Sequence, residues 1–143
     1  VDFGCGSGIL AIAALKLGAG CALGVDNDPQ AVVASRENAQ RNDIDADDFP
    51  VVLPDDGVIA QWDDSADLMV ANILAGPLVE LADQLISLTA PGGTILLTGV
   101  LEAQAPQLIE RYRNVNLEVN QQRDGWVLLA GKKTYLALSE QFS

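Results

Sequence analysis

The chain opens on Val1-Asp2-Phe3-Gly4-Cys5-Gly6-Ser7-Gly8, and this stretch predicts the fold. Its first three residues are typical of the end of a buried strand, and the alternating glycines that follow predict a tight turn. A helix is then expected from about Ile9 to Leu17, and it stops at Gly18, a residue type that often ends helices. A strand, a glycine-rich turn and a helix in this order indicate a ligand site at the carboxyl end of a parallel strand.

Asp26 strengthens that prediction, because it ends the next predicted strand (residues 21–25), 18 residues after Gly8. A carboxylate there can accept hydrogen bonds from both hydroxyls of a ribose. The glycines allow a ligand to approach the backbone, and the helix N-terminus offers N–H groups to a carboxylate or phosphate. We therefore expect an adenosine-type cofactor. Gly6-Ser7-Gly8-Ile9-Leu10-Ala11 also fits the dinucleotide pattern, so the glycines do not separate a nicotinamide cofactor from S-adenosylmethionine.

The rest of the chain repeats strands and helices, which predicts a Rossmann-like, doubly wound α/β fold with a mostly parallel sheet. Asp28-Pro29 is typical of a helix start, and that helix is expected to reach residue 41. Further strands are expected near residues 50–53, 67–71 and 94–98, with Pro91-Gly92-Gly93 as a turn, and helices near 78–88 and 106–113. Residues 116–121 and 126–132 predict a C-terminal antiparallel hairpin. We expect one catalytic domain over residues 1–138 and a polar tail at 139–143.

A second motif, Asn72-Ile73-Leu74-Ala75, follows the fourth predicted strand. In a doubly wound sheet this position lies beside the loop of the first strand. The Asn72 side-chain oxygen and the Ile73 carbonyl could both accept hydrogen bonds from a substrate amine and aim its lone pair at an electrophilic methyl group. In the structural alternative, Asn72 caps the helix that starts near Pro77 or bonds its own loop.

Composition excludes several classes of function. Lys plus Arg number 8 against 20 Asp plus Glu, and a net charge of −12 disfavours nucleic acid and favours a basic protein as partner. The absence of histidine excludes histidine triads and histidine-ligated metals. Cys5 and Cys21 lack metal-site spacing and suggest a reducing compartment. No apolar run approaches the roughly 20 residues of a membrane-spanning helix, and the first residues do not resemble a signal peptide.

These motifs resemble class I S-adenosylmethionine-dependent methyltransferases, and within them the ribosomal protein L-eleven methyltransferase (PrmA) family. The similarity reaches to about Lys133. The matching stretches are residues 1–14, 24–31, 34–39, 70–78 and 91–93. The glycine motif is common to the superfamily, whereas Asn72-Ile73-Leu74-Ala75-Gly76-Pro77-Leu78 is much more specific, because related amine methyltransferases usually carry Asn-Pro-Pro-aromatic there.

The resemblance implies methyl transfer from S-adenosylmethionine to lysine side chains and the N-terminal amine of a large-subunit ribosomal protein, in the cytoplasm. Asn72 and Ile73 would hold the amine, and no metal is expected. The implied cofactor-binding residues are Asp2, Gly4, Cys5, Gly6, Ser7, Gly8, Asp26, Asn27, Leu53, Asp55 and Asn72. Family members also carry an N-terminal substrate-recognition domain, so we expect this chain to be the catalytic portion of a longer protein.

Three other functions stay open on the sequence. One is methylation of a different protein or small-molecule amine by the same class of enzyme. Another is a nicotinamide-binding oxidoreductase domain, which would have no use for Asn72. The last is a domain that binds the cofactor or a partner without turnover.

Overall fold

Strands and helices alternate along residues 1–134, the part of the chain that the computed structural model describes. The strands are β1 (Asp2–Phe3), β2 (Gly24–Val25), β3 (Val51–Val52), β4 (Ala66–Asn72), β5 (Thr89–Leu101), β6 (Glu118–Arg123) and β7 (Trp126–Lys132). The α-helices are α1 (Ile9–Lys16), α2 (Pro29–Arg41), α3 (Ala75–Glu80), α4 (Ala82–Leu88) and α5 (Ala105–Arg111). The chain divides into two compact units, Val1–Gln61 and a second that begins at Trp62. The expected polar tail at 139–143 lies outside the described residues, and the domain boundary at residue 138 stays a prediction.

The first unit is built on three parallel strands. β1 pairs with β2, and β2 pairs with β3, so that Phe3 lies opposite Val25 and Val25 lies opposite Val52. Because the three strands pair without a register shift, the residues that follow them leave the sheet at the same edge; these are Gly4, Asp26 and Leu53. Strands β2 and β3 are shorter than the sequence predicts.

Helices α1 and α2 pack on these strands around one apolar cluster. The cluster contains Cys5, Ala11, Ile12, Ala22, Val32, Ala39, Phe49 and Val51. The predicted start of α2 is confirmed, because the Asp28 side chain accepts a hydrogen bond from Gln30 N at 2.9 Å and Pro29 occupies the first helical position. Its C-terminal end at Arg41 is also where the sequence placed it.

The second unit combines one parallel and two antiparallel strand pairs. β4 runs parallel to β5, β7 runs antiparallel to β5, and β6 runs antiparallel to β7. The turn between β6 and β7 places Asp124 at φ 52° and Gly125 at φ 83°, as a two-residue hairpin turn requires. The expected C-terminal antiparallel hairpin is therefore confirmed.

Two boundaries in the second unit differ from the sequence prediction. Pro91-Gly92-Gly93 lies inside β5 rather than before it, because the Gly92 amide bonds to the Lys133 carbonyl and Lys133 N bonds to Gly93 O. The pairing with β4 shifts register there, so the glycines form an irregularity within a strand. The helix expected at 78–88 starts earlier, at Ala75, and divides at Leu81, whose ψ of 0° departs from helical geometry.

Within residues 1–134, every helix is too short or too polar to cross a bilayer.

Candidate functional site

The glycine loop, residues 4–8, has the conformation that its glycines allow. Gly4, Gly6 and Gly8 have φ of 80°, 55° and 83°, in the left-handed region that glycine adopts without strain. The amides of Gly4 and Cys5 both donate to Val25 O, at 2.7 and 3.0 Å, and Gly8 N donates to Cys5 O at 2.8 Å. These bonds fold the loop back against the end of β2.

The loop leads directly into the N-terminus of α1. Gly8 is the N-cap residue of that helix, and no side chain caps it. The N–H groups of a first helical turn have no partner within the helix, so they are available to a carboxylate or another anion. The structure therefore places the predicted glycine loop at a helix start whose N–H groups have no side-chain cap, and the binding of an anion there stays a prediction.

Asp26 stands at the end of β2, half-buried, and both of its oxygens are engaged. Oδ2 accepts a hydrogen bond from Gly6 N at 2.9 Å, and Oδ1 accepts one from Asp28 N at 2.9 Å. A carboxylate can accept about four hydrogen bonds, so each oxygen retains a free acceptor position. Asp26 can thus hold the glycine loop and still receive two hydroxyl groups.

Asp2 is a buried carboxylate without a partner. Its residue is 4% exposed, and neither side-chain oxygen accepts a hydrogen bond of ordinary geometry from residues 1–134. Burial raises the pKa of the Asp2 carboxyl, and the neighbouring charge of Asp26 raises it further. The Ala11 backbone N–H lowers the pKa of this carboxyl and so opposes that shift, but it does not form a hydrogen bond of ordinary geometry with either oxygen. Buried polar groups are rarely left unpaired, so this carboxylate indicates a place for a cationic group.

Cys5 fills space in the loop and is not activated as a nucleophile. Burial raises the pKa of its thiol to about 11, and its Sγ lies 3.4 Å from Ser35 Oγ. The reactive form of cysteine is the thiolate, which such a pKa suppresses at neutral pH.

The remaining first-unit candidates follow β2 and β3. Asn27 and Asp55 are exposed, and Leu53 is 37% exposed directly after β3. The Asp56 amide donates to Leu53 O at 3.1 Å and closes a turn there. These residues leave the sheet at the same edge as the glycine loop, because β1, β2 and β3 are parallel and in even register.

Asn72 and Ile73 belong to the second unit, where Asn72 is the last residue of β4 and pairs with Thr98. The structural alternative for Asn72 is not observed, since the N-cap of α3 is Leu74 and no side chain caps that helix. The Asn72 side chain is exposed, and no residue among 1–134 hydrogen-bonds to it. Its amide is therefore available to a ligand.

Three residues that lie near these candidates were not predicted from the sequence to contribute to the site. Ser35 and Asn38 of α2 donate hydrogen bonds to the glycine loop, and Gly99 of β5 lies against Asn72 and Ile73. The signal for the first pair was their spacing of three residues, which places two polar side chains on one helical face. Within the described part of the chain, no cluster of acidic or cysteine side chains could hold a metal ion.

Comparison with known proteins gives a consistent result over the same residues. Residues 1–134 match the family model described as ribosomal protein L11 methyltransferase (PrmA). The chain is 53% identical over 134 residues to the ribosomal protein L11 methyltransferase of Pseudomonas paraeruginosa, covering 93% of this chain and 44% of that protein. It is 54% identical over 132 residues to the one from Azotobacter vinelandii, covering 92% of this chain and 44% of that protein.

A solved structure supports the same assignment. The crystal structure of ribosomal protein L11 methylase from Lactobacillus delbrueckii subsp. bulgaricus superimposes with a TM-score of 0.79 at 34% identity, over 94% of this chain and 69% of that one. This agreement confirms the Rossmann-like α/β fold. The chain spans 44% of the length of the curated relatives that it matches. By its family match and its identity to these relatives, the chain belongs to the ribosomal protein L11 methyltransferase (PrmA) family.

Proposed function

We propose that this chain is the catalytic domain of an S-adenosylmethionine-dependent N-methyltransferase that acts on a large-subunit ribosomal protein. The acceptors would be lysine side chains and the N-terminal amine. The observation that carries the cofactor assignment is the carboxylate of Asp2, which is buried, lies two residues before the glycine loop and has no hydrogen-bond partner among residues 1–134.

The first unit fits the three parts of S-adenosylmethionine. Asp2 offers a negative charge to the ammonium of its methionine part, and the start of α1 offers N–H groups to its carboxylate. Asp26 has one acceptor position left on each oxygen for the ribose hydroxyls. We assign Leu53 and Asp55 to the adenine, because they offer it an exposed apolar side chain and a hydrogen-bond acceptor. We assign Gly4, Cys5, Gly6, Ser7 and Gly8 to the methionine end and Asn27 to the ribose.

A nicotinamide dinucleotide fits these residues less well. Its pyrophosphate would approach the glycine loop, where Asp2 is buried and Asp26 is close enough to raise the pKa of Asp2. Like charges at short range oppose binding in a partly desolvated site. An oxidoreductase would also leave the exposed Asn72 amide without a purpose.

Asn72 and Ile73 are assigned to the amine that is methylated. Once bound, S-adenosylmethionine supplies an activated methyl group on its sulfonium. The Asn72 Oδ1 and the Ile73 carbonyl accept hydrogen bonds from the amine and so orient its lone pair. A lysine amine has a reference pKa of about 10.4 and must be neutral before it reacts, and desolvation favours the neutral form. Asn72 thus positions the amine and does not act as its base.

The partner and location follow from the same proposal. The net charge of −12 suits a basic ribosomal protein and disfavours direct contact with nucleic acid and with an anionic membrane. We place the protein in the cytoplasm, where a ribosomal substrate is made and where thiols such as Cys5 and Cys21 stay reduced.

The experiment that tests the cofactor is isothermal titration with S-adenosylhomocysteine, with NADH as the control ligand. Saturable binding of S-adenosylhomocysteine alone is expected. Binding of NADH alone would support an oxidoreductase, and binding of neither would contradict the proposal for this chain.

The acceptor assignment is tested by Asn72→Ala in a labelled-methyl assay on ribosomal protein L11. Turnover is expected to fall by roughly a hundredfold, with S-adenosylhomocysteine affinity changed less than threefold, because the lost interactions are made with the reacting amine. Equal losses in turnover and in affinity would refute this role. Methylation of other amines at the same rate would favour a broader substrate class, and cofactor binding without turnover would indicate a non-catalytic domain.

A further inference from the structure

We propose that Ser35 and Asn38 of α2 are positioning residues that hold the glycine loop in its ligand-binding conformation. The proposal rests on the function proposed above for the loop. It goes beyond that function because it assigns the geometry of the loop to a helix that follows it by some twenty residues.

Ser35 joins two residues of the loop to each other. It is fully buried, and its Oγ donates to Gly6 O at 2.8 Å. The same Oγ lies 3.4 Å from Cys5 Sγ, and a thiol with a pKa of about 11 is protonated at neutral pH and can donate to it. The hydrogen bonds therefore run from the Cys5 thiol to the Ser35 hydroxyl and on to the Gly6 carbonyl.

Asn38 extends this contact to the next loop residue. Its Nδ2 donates to Ser7 O at 2.9 Å, while its Oδ1 accepts a hydrogen bond from Arg41 Nη1 at 3.4 Å. The Arg41 contact fixes which end of the amide faces the loop.

Gly8 completes the contact between α2 and the loop. A Cβ at Gly8 would lie only 3.0 Å from Ser35 Oγ and 3.3 Å from Ser35 Cα, so the helix packs directly against the backbone there. Side chains or backbone of α2 thus contact four successive loop residues, from Cys5 to Gly8.

These contacts determine which way a loop amide faces. In a trans peptide the carbonyl and the following N–H point in opposite directions. Because Ser35 binds the Gly6 carbonyl, the Ser7 N–H points away from α2, and no group among residues 1–134 accepts a hydrogen bond from it. On the opposite side, Gly6 N is held by Asp26 Oδ2. The loop is therefore fixed between α2 and the carboxylate assigned to the ribose, with the Ser7 N–H free for the carboxylate of the ligand.

Asn38→Ala tests the proposal, with Asn42→Ala as the matched control. Asn42 is the C-cap residue of α2, and its Nδ2 donates to Asn38 O at 2.7 Å without touching the loop. Asn42→Ala removes one asparagine hydrogen bond near the end of the same helix, whereas Asn38→Ala removes the bond to Ser7 O and the longer, exposed one from Arg41, so Asn42→Ala controls for the loss of an asparagine at this helix end. Ser35→Ala is the second loop variant, and Asn38→Gln retains a donor that can restore part of the effect.

Two measurements distinguish a role in positioning the glycine loop from a general effect on the stability of the protein. Amide hydrogen exchange of the ligand-free protein should speed up at Gly6 and Gly8 in Asn38→Ala and Ser35→Ala, but not in Asn42→Ala. Affinity for S-adenosylhomocysteine should fall about threefold to tenfold in the two loop variants, as expected for one lost hydrogen bond, with partial recovery in Asn38→Gln. The KM for S-adenosylmethionine should rise in the same proportion, with kcat at saturation nearly unchanged.

Unchanged loop exchange in both loop variants would overturn the proposal, as would equal affinity losses in Asn38→Ala and Asn42→Ala. Failure of the unmodified protein to bind S-adenosylhomocysteine would instead overturn the proposed function. In that case the exchange measurement alone would still decide whether α2 holds the loop.

Discussion

At the scale of single residues, the buried carboxylate of Asp2, which we assign to the cofactor, lowers the stability of the ligand-free fold. A buried carboxylate without hydrogen bonds destabilises the folded chain, and its raised pKa expresses that cost. The folded protein retains the Asp2 proton to a higher pH than the unfolded chain does. The free energy of unfolding therefore falls as pH rises from the reference pKa of 3.8 through the raised value. A bound cation would reverse this effect by pairing with the ionised form.

We expect Asp2→Asn to stabilise the ligand-free protein by about 1 kcal/mol at pH 7, because the uncharged amide is cheaper to bury. The same variant should lose at least tenfold in S-adenosylhomocysteine affinity, since the ammonium loses its charged partner. Thermal unfolding across pH 4–8 and titration calorimetry measure the two effects. A variant that is less stable and binds normally would show that Asp2 has only a structural role.

Gly99 is a second residue whose type is explained by its neighbours. It has φ 80°, and a Cβ there would lie 2.8 Å from Ile73 O and 3.0 Å from Asn72 Oδ1. A side chain at this position would press on both acceptors assigned to the amine. Its requirement for glycine is therefore steric as well as conformational.

Gly99→Ala should reduce methyl transfer by roughly tenfold to a hundredfold with little change in S-adenosylhomocysteine affinity, because a displaced acceptor pair misaligns the amine. Gly125→Ala is the matched control, since Gly125 has φ 83° and no atom of the described residues lies within 4 Å of its Cβ position. Both alanines incur similar backbone strain, of about 1 kcal/mol. Equal activity in the two variants, measured on the ribosomal protein substrate, would exclude this role for Gly99.

Among the elements, a buried lysine joins the end of β7 to the end of α4 and the start of β5. Lys133 is 7% exposed, and its Nζ donates to Asp64 Oδ1 at 2.7 Å, to Thr89 O at 2.9 Å and to Ile86 O at 3.0 Å. All three protons of the ammonium are used. This side chain connects the end of β7 with α4 and the start of β5.

Lys133→Met should lower the free energy of unfolding by about 1–3 kcal/mol, because the Thr89 and Ile86 carbonyls lose the ammonium donor, although Ile86 O retains the Thr89 amide. Asp64→Asn should cost less than about 1 kcal/mol, since the Asp64 side chain is 57% exposed and its ion pair is partly screened by water. Urea unfolding of both variants measures which of them loses more free energy of unfolding. An equal or larger loss in Asp64→Asn would mean that the ion pair, and not the carbonyl contacts, stabilises this junction.

The helices and strands also show which features of the fold can be predicted from the sequence and which cannot. Helix α2 was predicted at both ends, because Asp28 and Pro29 act through local bonds that the sequence displays. The position of Pro91-Gly92-Gly93 within β5 was missed, because it depends on backbone pairing with Lys133, about forty residues later. The carboxylates Asp2 and Asp26 follow from strand–turn patterns. The contacts of Ser35 and Asn38 with the glycine loop depend on how α2 packs against that loop. No local sequence pattern encodes how close the helix and the loop come.

For the molecule as a whole, charge is the property most relevant to a protein substrate. The net charge of −12 of this chain acts over distances longer than any one contact and would accelerate encounter with the basic partner that we propose. Salt weakens such attraction, because the screening length falls from about 14 Å at 0.05 M to about 4 Å at 0.5 M. A small cofactor seated among local hydrogen bonds depends on this field much less.

We therefore expect kcat/KM for the ribosomal protein substrate to fall roughly tenfold between 0.05 M and 0.5 M NaCl, while S-adenosylhomocysteine affinity changes less than threefold. Asp47→Asn combined with Asp48→Asn, both exposed, changes the net charge from −12 to −10 (two carboxylates removed) and should flatten the salt dependence. Initial rates over a salt series, with calorimetry on the same samples, provide the comparison. If the rate with the protein substrate is insensitive to salt, the acidic surface does not steer that substrate, and its aspartates serve only to keep the protein in solution.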